Sequence, residues 1–182
     1  MAPNVATSKR LGLQVLNEED HLQSYHAIMS DAASGVWSTS SHGGTIEESR
    51  AKMFDRQPSK EKPWSQTWAI CLIPEDGRET SKVIGAVGFP RECEIGYRIK
   101  PQYWGKGYMT EALVMFAGMW FELDENKKYD RLLAAADPAN AASHRVLQKS
   151  GFTKGEYKEK AYQRALLGDE KSDLQLYYMD RP

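Results

Sequence analysis

Two glycines between a predicted strand and a predicted helix constrain this chain more than any other feature. Residues 94–99 have the apolar content of a short strand, and Pro101 ends it because proline lacks a backbone N–H. From Met109 onward, apolar side chains recur at helical spacing. Gly105 and Gly107 lie in the loop between the two elements. This arrangement directs several backbone N–H groups and the positive end of a helix dipole to one point, which favours phosphate binding.

Two common phosphate-binding loops do not match this segment. The nucleoside-triphosphate loop requires Gly-x-x-x-x-Gly-Lys-Ser/Thr, and the chain contains no such string. The dinucleotide fingerprint requires a third glycine, but Thr110 stands at that position after Gly105 and Gly107. A nucleotide-dependent enzyme is therefore disfavoured.

The loop instead matches the pattern Gln/Arg-x-x-Gly-x-Gly/Ala, as Gln102-Tyr103-Trp104-Gly105-Lys106-Gly107. In this form it resembles the acetyl-CoA pyrophosphate loop of the GNAT acetyltransferase superfamily. The longer string from Tyr103 to Ala112 is most similar to the RimJ/RimL-like branch, which includes the ribosomal-protein N-terminal acetyltransferases. A second stretch, from Asn140 to Phe152, resembles the other cofactor motif of the superfamily, Asn-x-x-Ser/Ala…Gly-Phe.

The order of predicted elements agrees with that resemblance. Asn17 and Thr45 are predicted N-caps of two early helices, and Gly151 is a predicted left-handed C-cap. We expect residues 1–9 to form a flexible leader and residues 10–182 to form a single GNAT domain. The resemblance implies an α/β (α+β) fold with a mixed, mostly antiparallel central sheet. That sheet would splay between the fourth and fifth strands of the family and carry helices on both faces.

Composition excludes several classes of partner. The net charge of −1 provides no broad field for nucleic acid or an acidic membrane. We find no apolar signal core and no run long enough to span a membrane, so a cytoplasmic protein is expected. Cys71 and Cys93 fall in predicted strands and are interpreted as reduced core residues. The four histidines lack ligand spacing, so no metal site is predicted.

The resemblance implies how acetyl-CoA would be held as co-substrate. The backbone of Tyr97, Arg98 and Ile99 would pair with the pantetheine amides like an added strand. Backbone N–H groups and side chains of the loop would hold the pyrophosphate: Gln102, Trp104, Gly105, Lys106, Gly107, Tyr108 and Met109. Asn140 would bond the pantetheine arm, and Arg145 would reach the outer phosphate. Lys106 is equally explained as a solvated loop lysine, whereas for Arg145 and Lys149, the latter also within reach of the outer phosphate, a solvated helix face is the favoured interpretation.

Two residues are candidates for the chemistry. Many members of the superfamily protonate the leaving thiolate with a Tyr seven residues after the motif Asn, but that position is Leu147 here. Ser143, one helical turn after Asn140, is the alternative that the RimJ/RimL-like branch implies. Glu94 is the first candidate for the base that accepts the amine proton, and Glu92 is a second. Ser143 bonded to its own helix and Glu94 paired with an arginine are the structural alternatives, and a base near His42 stays open.

The function expected from these motifs is acetyl transfer from acetyl-CoA to a primary amine by direct attack in a ternary complex. The acceptor would be a protein N-terminus, an amino acid or a small amine. The alternative is a non-catalytic acyl-CoA-binding module. Homodimers are common in this branch. Aromatic residues that fall where acceptor pockets form in this fold are Trp37, His42, Trp64 and Tyr162.

Overall fold

One eight-stranded sheet carries the fold of this protein. The computed structural model describes residues 2–40, 43–74 and 82–182. The sheet order is β1-β2-β3-β4-β5-β6-β8-β7, and every pair is antiparallel except β5–β6. The strands are β1 Asn4–Thr7, β2 Leu11–Val15, β3 Thr67–Leu72, β4 Lys82–Arg91, β5 Glu94–Ile99, β6 Arg131–Ala136, β7 Thr153–Gln163 and β8 Lys171–Asp180.

Helices cover both faces of this sheet. They are α1 Glu18–Met29, α2 Ala32–Gly35, α3 Ile46–Asp55, α4 Tyr108–Glu122 and α5 Ala141–Lys149. None of the helices in the described ranges combines the length and the apolar character that crossing a membrane requires. The mixed sheet with helices on both faces confirms the predicted fold class.

Local capping explains where several helices begin and end. The Asn17 side chain accepts from the Asp20 N–H at the start of α1. Thr45 and Glu48 form a complete capping box at the start of α3, as predicted. Gly151 follows α5 with a φ of 95°, the left-handed conformation that glycine adopts without a Cβ penalty.

A hydrophobic cluster lies on each face of the sheet. The α4 face holds the larger cluster, which includes Phe116 and Trp120 of α4, Leu147 of α5, and Ile95 with Tyr97 on β5. The α1 face holds a smaller cluster of side chains from α1, α3 and the first strands: Leu16, Leu22, Tyr25, Ile28, Met53, Ala69, Cys71 and Val83. Because side chains alternate along a strand, Arg98 on β5 faces the α1 side.

The sheet opens where its parallel pair of strands, β5 and β6, meets. Strands β5 and β6 are joined at Glu94↔Leu133 and Ile95↔Ala134 and no further. Beyond that point β5 continues beside β4, and β6 continues beside β8. The resulting space between residues 96–99 and residues 135–137 is called the gap here. It corresponds to the splay that the resemblance implied between the fourth and fifth strands of the family.

The structure also corrects parts of the prediction. Asn4–Thr7, expected in a flexible leader, form the edge strand β1 paired with β2. The predicted loop after α1 contains the short helix α2, held by the Asp31 side chain that accepts from the Ser34 N–H. Cys93 lies in the turn between β4 and β5 with a φ of 59°, not in a strand. His42 lies outside the described residues.

Candidate active site

Unpaired backbone lines the β5 side of the gap. Lys100 N–H donates to the Ile84 carbonyl on β4, and the Cys93 carbonyl accepts from Leu133 on β6. By the alternation of an extended strand, Tyr97 and Ile99 therefore direct their N–H and C=O groups into the gap, whereas Arg98 directs its own toward β4. The Ile99 carbonyl already accepts from the Trp104 indole at 2.9 Å. Among the described residues, no partner is found for the Tyr97 amide and carbonyl or for the Ile99 N–H.

The glycine loop presents free amides at one end of the gap. Gly105 and Gly107 have φ values of 74° and 77°, and Gly107 is the N-cap residue of α4. The Trp104 N–H donates to the Pro101 carbonyl, but no N–H of residues 105–110 donates to an acceptor within the described chain. No heavy atom outside the loop lies within 4 Å of a Cβ built on Gly105. The loop is thus an open cradle of donors at a helix start, as an anion requires.

Arg10 fastens this loop to the first strands. Its Nε donates to the Glu111 carboxylate at 2.7 Å, and its backbone N–H donates to the same group at 3.1 Å. The Ser8 hydroxyl donates to Glu111 at 2.7 Å. Arg10 also donates to the Lys106 carbonyl at 3.2 Å and lies 4.5 Å from the Tyr108 ring centroid. Burial favours a raised pKa for Glu111, but hydrogen bonds from Ser8 and Arg10 lower that pKa overall.

Three polar groups meet where α5 begins beside the gap. The Asn140 side chain caps α5 by accepting from the Ser143 N–H at 3.1 Å, and it donates to the Ser143 hydroxyl at 3.0 Å. The Tyr97 hydroxyl is buried without a hydrogen-bond partner of regular geometry, and the Ser143 hydroxyl lies beside it. Burial raises the pKa of Tyr97 to about 12, against the lowering influence of Ser143. A buried hydroxyl without a partner can donate to a ligand atom that enters the gap.

The position of the missing family Tyr is filled by packing. Leu147 is fully buried in the cluster of the α4 face. Nearby, His144 Nε2 donates to the Pro138 carbonyl at 3.2 Å, so His144 Nδ1 accepts from the Tyr177 hydroxyl at 2.8 Å. Both ring nitrogens of His144 are therefore engaged in structural hydrogen bonds.

The carboxylates considered as bases have partners. Glu94 forms an ion pair with Arg91, the structural alternative considered above, and 23% of its side chain is exposed. Glu92 accepts from the Tyr129 hydroxyl at 2.6 Å. Glu94 shares the α1 face of β5 with Arg98, whereas Glu92 lies in the turn before the strand.

Residues of the last hairpin and of the segment after α1 form a polar cluster across the gap. Asp137, at the end of β6, accepts from the Tyr162 hydroxyl at 2.8 Å and from the Ala139 N–H at 2.9 Å. Arg164 lies 3.7 Å from the same carboxylate and 5.0 Å from the Trp37 ring centroid. Burial and the Asp137 hydrogen bond raise the pKa of Tyr162.

The aromatic residues predicted near the acceptor pocket lie in two different parts of the structure. Trp37 and Tyr162 lie in the Asp137 cluster, whereas Trp64 packs against the cluster of the α4 face and lines a small cavity with Phe89 and Trp120. Of the predicted loop residues, Gln102 lies beside the Tyr103 hydroxyl, and the Lys106 ammonium is 5.7 Å from the Tyr103 ring centroid.

The outer cations of α5 are exposed, and other candidates escaped sequence reasoning. Arg145 and Lys149 are solvent-exposed on α5. Three side chains beside the gap become candidates only through tertiary contacts: the Tyr97 hydroxyl, the Arg98 guanidinium and the Asp137 carboxylate. Only Asp137 carried a local signal, because it is a polar residue directly after a buried strand.

Comparison with known proteins agrees with this geometry. Residues 10–153 match the profile of the acetyltransferase (GNAT) domain. The probable N-acetyltransferase YjcK of Bacillus subtilis (strain 168) is 31% identical over 117 residues, which are 60% of this chain and 60% of YjcK. Matches to curated relatives span from 45% to 61% of the relatives' own lengths.

Solved structures share the fold. A GNAT-family acetyltransferase from Bacillus anthracis superposes with a TM-score of 0.77 at 23% identity, covering 97% of this chain and 98% of that protein. RimL, a ribosomal L7/L12 alpha-N-protein acetyltransferase in complex with coenzyme A, gives a TM-score of 0.76 at 17% identity, covering 98% of each. With the family profile covering most of its length, this chain belongs to the GNAT acetyltransferase domain family.

Proposed function

We propose that this protein is an N-acetyltransferase that transfers the acetyl group of acetyl-CoA to a primary amine by direct attack in a ternary complex. The observation that carries the proposal is the gap, whose open β5 backbone leads to the amide cradle of residues 105–110. An extended chain with amide groups can pair with such an edge, and a diphosphate can bind such a cradle. RimL, which shares the fold, was solved with coenzyme A.

The free groups fit the two ends of the coenzyme. The Tyr97 amide and carbonyl and the Ile99 N–H would pair with the pantetheine amides. The remaining Asn140 amide hydrogen would donate to a pantetheine carbonyl, since its other hydrogen bonds Ser143. Around the diphosphate, we propose contacts from Gln102, Trp104, Gly105, Lys106, Gly107, Tyr108 and Met109, with Arg145 reaching the outer phosphate.

Bound there, acetyl-CoA supplies an activated acyl group, so much of the catalytic effect comes from placing the amine beside it. A backbone N–H of β5, such as that of Ile99, would stabilise negative charge that develops on the acyl oxygen. The Ser143 hydroxyl would donate to the departing sulfur. Tyr97, with its raised pKa, stays protonated at neutral pH and would support Ser143 from inside the gap.

Glu94 is the proposed proton acceptor for the amine. An amine with a pKa near 10 is only about 0.1% neutral at pH 7, so a nearby acceptor or water chain must take its proton. The ion pair with Arg91 leaves 23% of the Glu94 side chain exposed. For Glu94→Gln we expect a lower rate at neutral pH that recovers toward the wild-type rate as pH rises and the amine loses its own proton. An unchanged pH profile would remove Glu94 from the mechanism, and Glu92→Gln tests the second candidate base in the same assay.

Calorimetry with coenzyme A and thiol release from acetyl-CoA across an amine panel test the function as a whole. We expect heat of binding and thiol release with at least one primary amine. Binding without thiol release from any amine would favour the alternative, a non-catalytic acyl-CoA-binding module. If the folded protein does not bind coenzyme A, both the acetyltransferase proposal and the acyl-CoA-binding alternative are refuted.

A pair of serine variants on α5 tests the proposed donor. Ser143→Ala should lower turnover at saturating acetyl-CoA. Ser150→Ala removes a hydroxyl that bonds the Val146 carbonyl at the other end of the helix, so turnover should stay at the wild-type level. Equal turnover in the two variants would mean that Ser143 only supports the start of α5.

A further inference from the structure

Arg98 places a cation at the gap on the face opposite to Tyr97. Its side chain lies on the α1 face of β5, next to the point where β5 leaves β6. One guanidinium nitrogen donates to the Met29 carbonyl at the end of α1, at 3.1 Å. In the described chain this is its only hydrogen bond, and no carboxylate forms an ion pair with it. Most of the guanidinium N–H groups thus have no acceptor within the described chain.

A second cation, a buried hydroxyl and one carboxylate influence Arg98. Burial lowers the pKa of Arg98 and the positive charge of Arg56 lowers it further, whereas Tyr25 and Asp31 act in the opposite direction. Burial raises the pKa of Tyr25 against the opposing positive charges of Arg56 and Arg98, and its buried hydroxyl has no hydrogen-bond partner among the described residues. Asp31 is the nearby carboxylate, and one of its oxygens caps α2 by accepting from the Ser34 N–H at 2.7 Å. A buried guanidinium with a single hydrogen bond in the described chain favours an anion from outside.

On the β6 side of the gap, the charged groups are already paired. There Asp137 is bonded by Tyr162 and lies near Arg164. The segment after α1 connects the two walls, because the Met29 carbonyl binds Arg98 and the Ser38 carbonyl accepts from the Ala165 N–H at 3.0 Å. On the β5 side of the gap, the two guanidinium groups of Arg98 and Arg56 are therefore accompanied by the single carboxylate of Asp31.

We propose that Arg98 binds a carboxylate of the acceptor, so that the amine substrate is one that bears a carboxylate near its amino group. This inference rests on the proposed acetyltransferase function. A guanidinium fork matches the planar geometry of a carboxylate in a two-point contact. That contact would fix the acceptor on the α1 face while its amine reaches into the gap. A polyamine would instead bring a second cation toward Arg98 and Arg56.

Matched pairs of acceptors test this assignment. One pair is a free amino acid and its carboxamide, and the other is a peptide amide with Asp or Asn at its second position. The first pair tests a small-molecule acceptor and the second tests a protein N-terminus. We expect the carboxylate member of one pair to have a kcat/KM about 10- to 100-fold higher than its neutral partner, the effect of a hydrogen-bonded charge.

Variants of Arg98 provide the second part of the experiment. Arg98→Met should bring the two members of the preferred pair to equal kcat/KM, mainly by raising KM for the carboxylate member. Arg98→Lys keeps the charge without the fork and should retain part of the preference. Arg50→Met, which removes a surface arginine paired with Glu18, should keep the full preference.

Several results would overturn the assignment. One is thiol release by the wild-type protein with equal or higher kcat/KM for the carboxamide members or for spermidine. Another is coenzyme A binding without turnover of any carboxylate-bearing amine in the panel. A preference that survives Arg98→Met also contradicts it. Failure to bind coenzyme A is a different outcome, because it defeats the proposed function rather than the role of Arg98 alone.

Discussion

Replacing Gly105 with alanine tests the amide cradle most directly. Gly105 has a φ of 74°, and an added Cβ would meet no heavy atom within 4 Å outside the loop. In the protein alone the substitution therefore costs only the left-handed backbone strain, about 1–2 kcal/mol. For a chain of this size that strain should lower Tm by roughly 2–8 °C.

The effect on coenzyme A binding should exceed the effect on folding. The open space above Gly105 is where a diphosphate would approach the loop amides, so a methyl group there would hold the phosphate oxygens away. Losing one hydrogen bond to a charged group costs about 1.5–3 kcal/mol. We therefore expect the Kd for coenzyme A, measured by titration calorimetry, to rise about 10- to 100-fold.

Gly43→Ala is the matched control. Gly43 has a φ of 84° and equally open surroundings, but it lies before α3 and away from the loop. Gly43→Ala should lose similar stability in urea unfolding and keep the wild-type affinity for coenzyme A. The reasoning is refuted if folded Gly105→Ala binds coenzyme A as tightly as the wild-type protein, or if both variants lose affinity equally.

Further predictions concern the supports of the site. Removing the Arg10–Glu111 pair should reveal a coupling of about 0.2–1 kcal/mol in a double-mutant cycle of urea unfolding, because both side chains are partly exposed; zero coupling would contradict the fastening role of Arg10. Asn140→Ala and Asn17→Ala each remove a helix N-cap, which should lower the free energy of unfolding by about 0.5–2 kcal/mol. Only Asn140→Ala should also weaken coenzyme A binding. His21 accepts from the Asn17 N–H, and burial lowers its pKa, so the unfolded chain binds the proton more readily. The free energy of unfolding should consequently fall as pH drops below about 6.5, and it should fall more steeply in the wild-type protein than in His21→Gln. Equal dependence of the unfolding free energy on pH in the two proteins would contradict a role for His21.

Much of the fold was predictable because its signals are local. The capping box at Thr45, the N-cap at Asn17 and the left-handed Gly151 are written in residues a few positions apart. The glycine loop before α4 belongs to the same class, since Gly107 takes up a left-handed N-cap conformation. Such features are determined by neighbouring residues, so the sequence alone could identify them.

The features that were missed depend on contacts between distant segments. Strand β1 has no clear apolar alternation, and it forms because its backbone pairs with β2 and Asn4 accepts from Gln14 at 3.0 Å. The contact of Arg98 with the end of α1 becomes visible only when α1 and β5 lie side by side.

The short pairing between β5 and β6 has a consequence for how the molecule holds together. With only Glu94↔Leu133 and Ile95↔Ala134 in register, the two parts of the sheet meet at their weakest junction there. A bound pantetheine arm would act as a missing strand that joins them. Amide hydrogen exchange at Tyr97 and Ile99 should then slow when coenzyme A is added, and the thermal midpoint should rise with coenzyme A concentration. The co-substrate would in this way also be a structural component of the sheet.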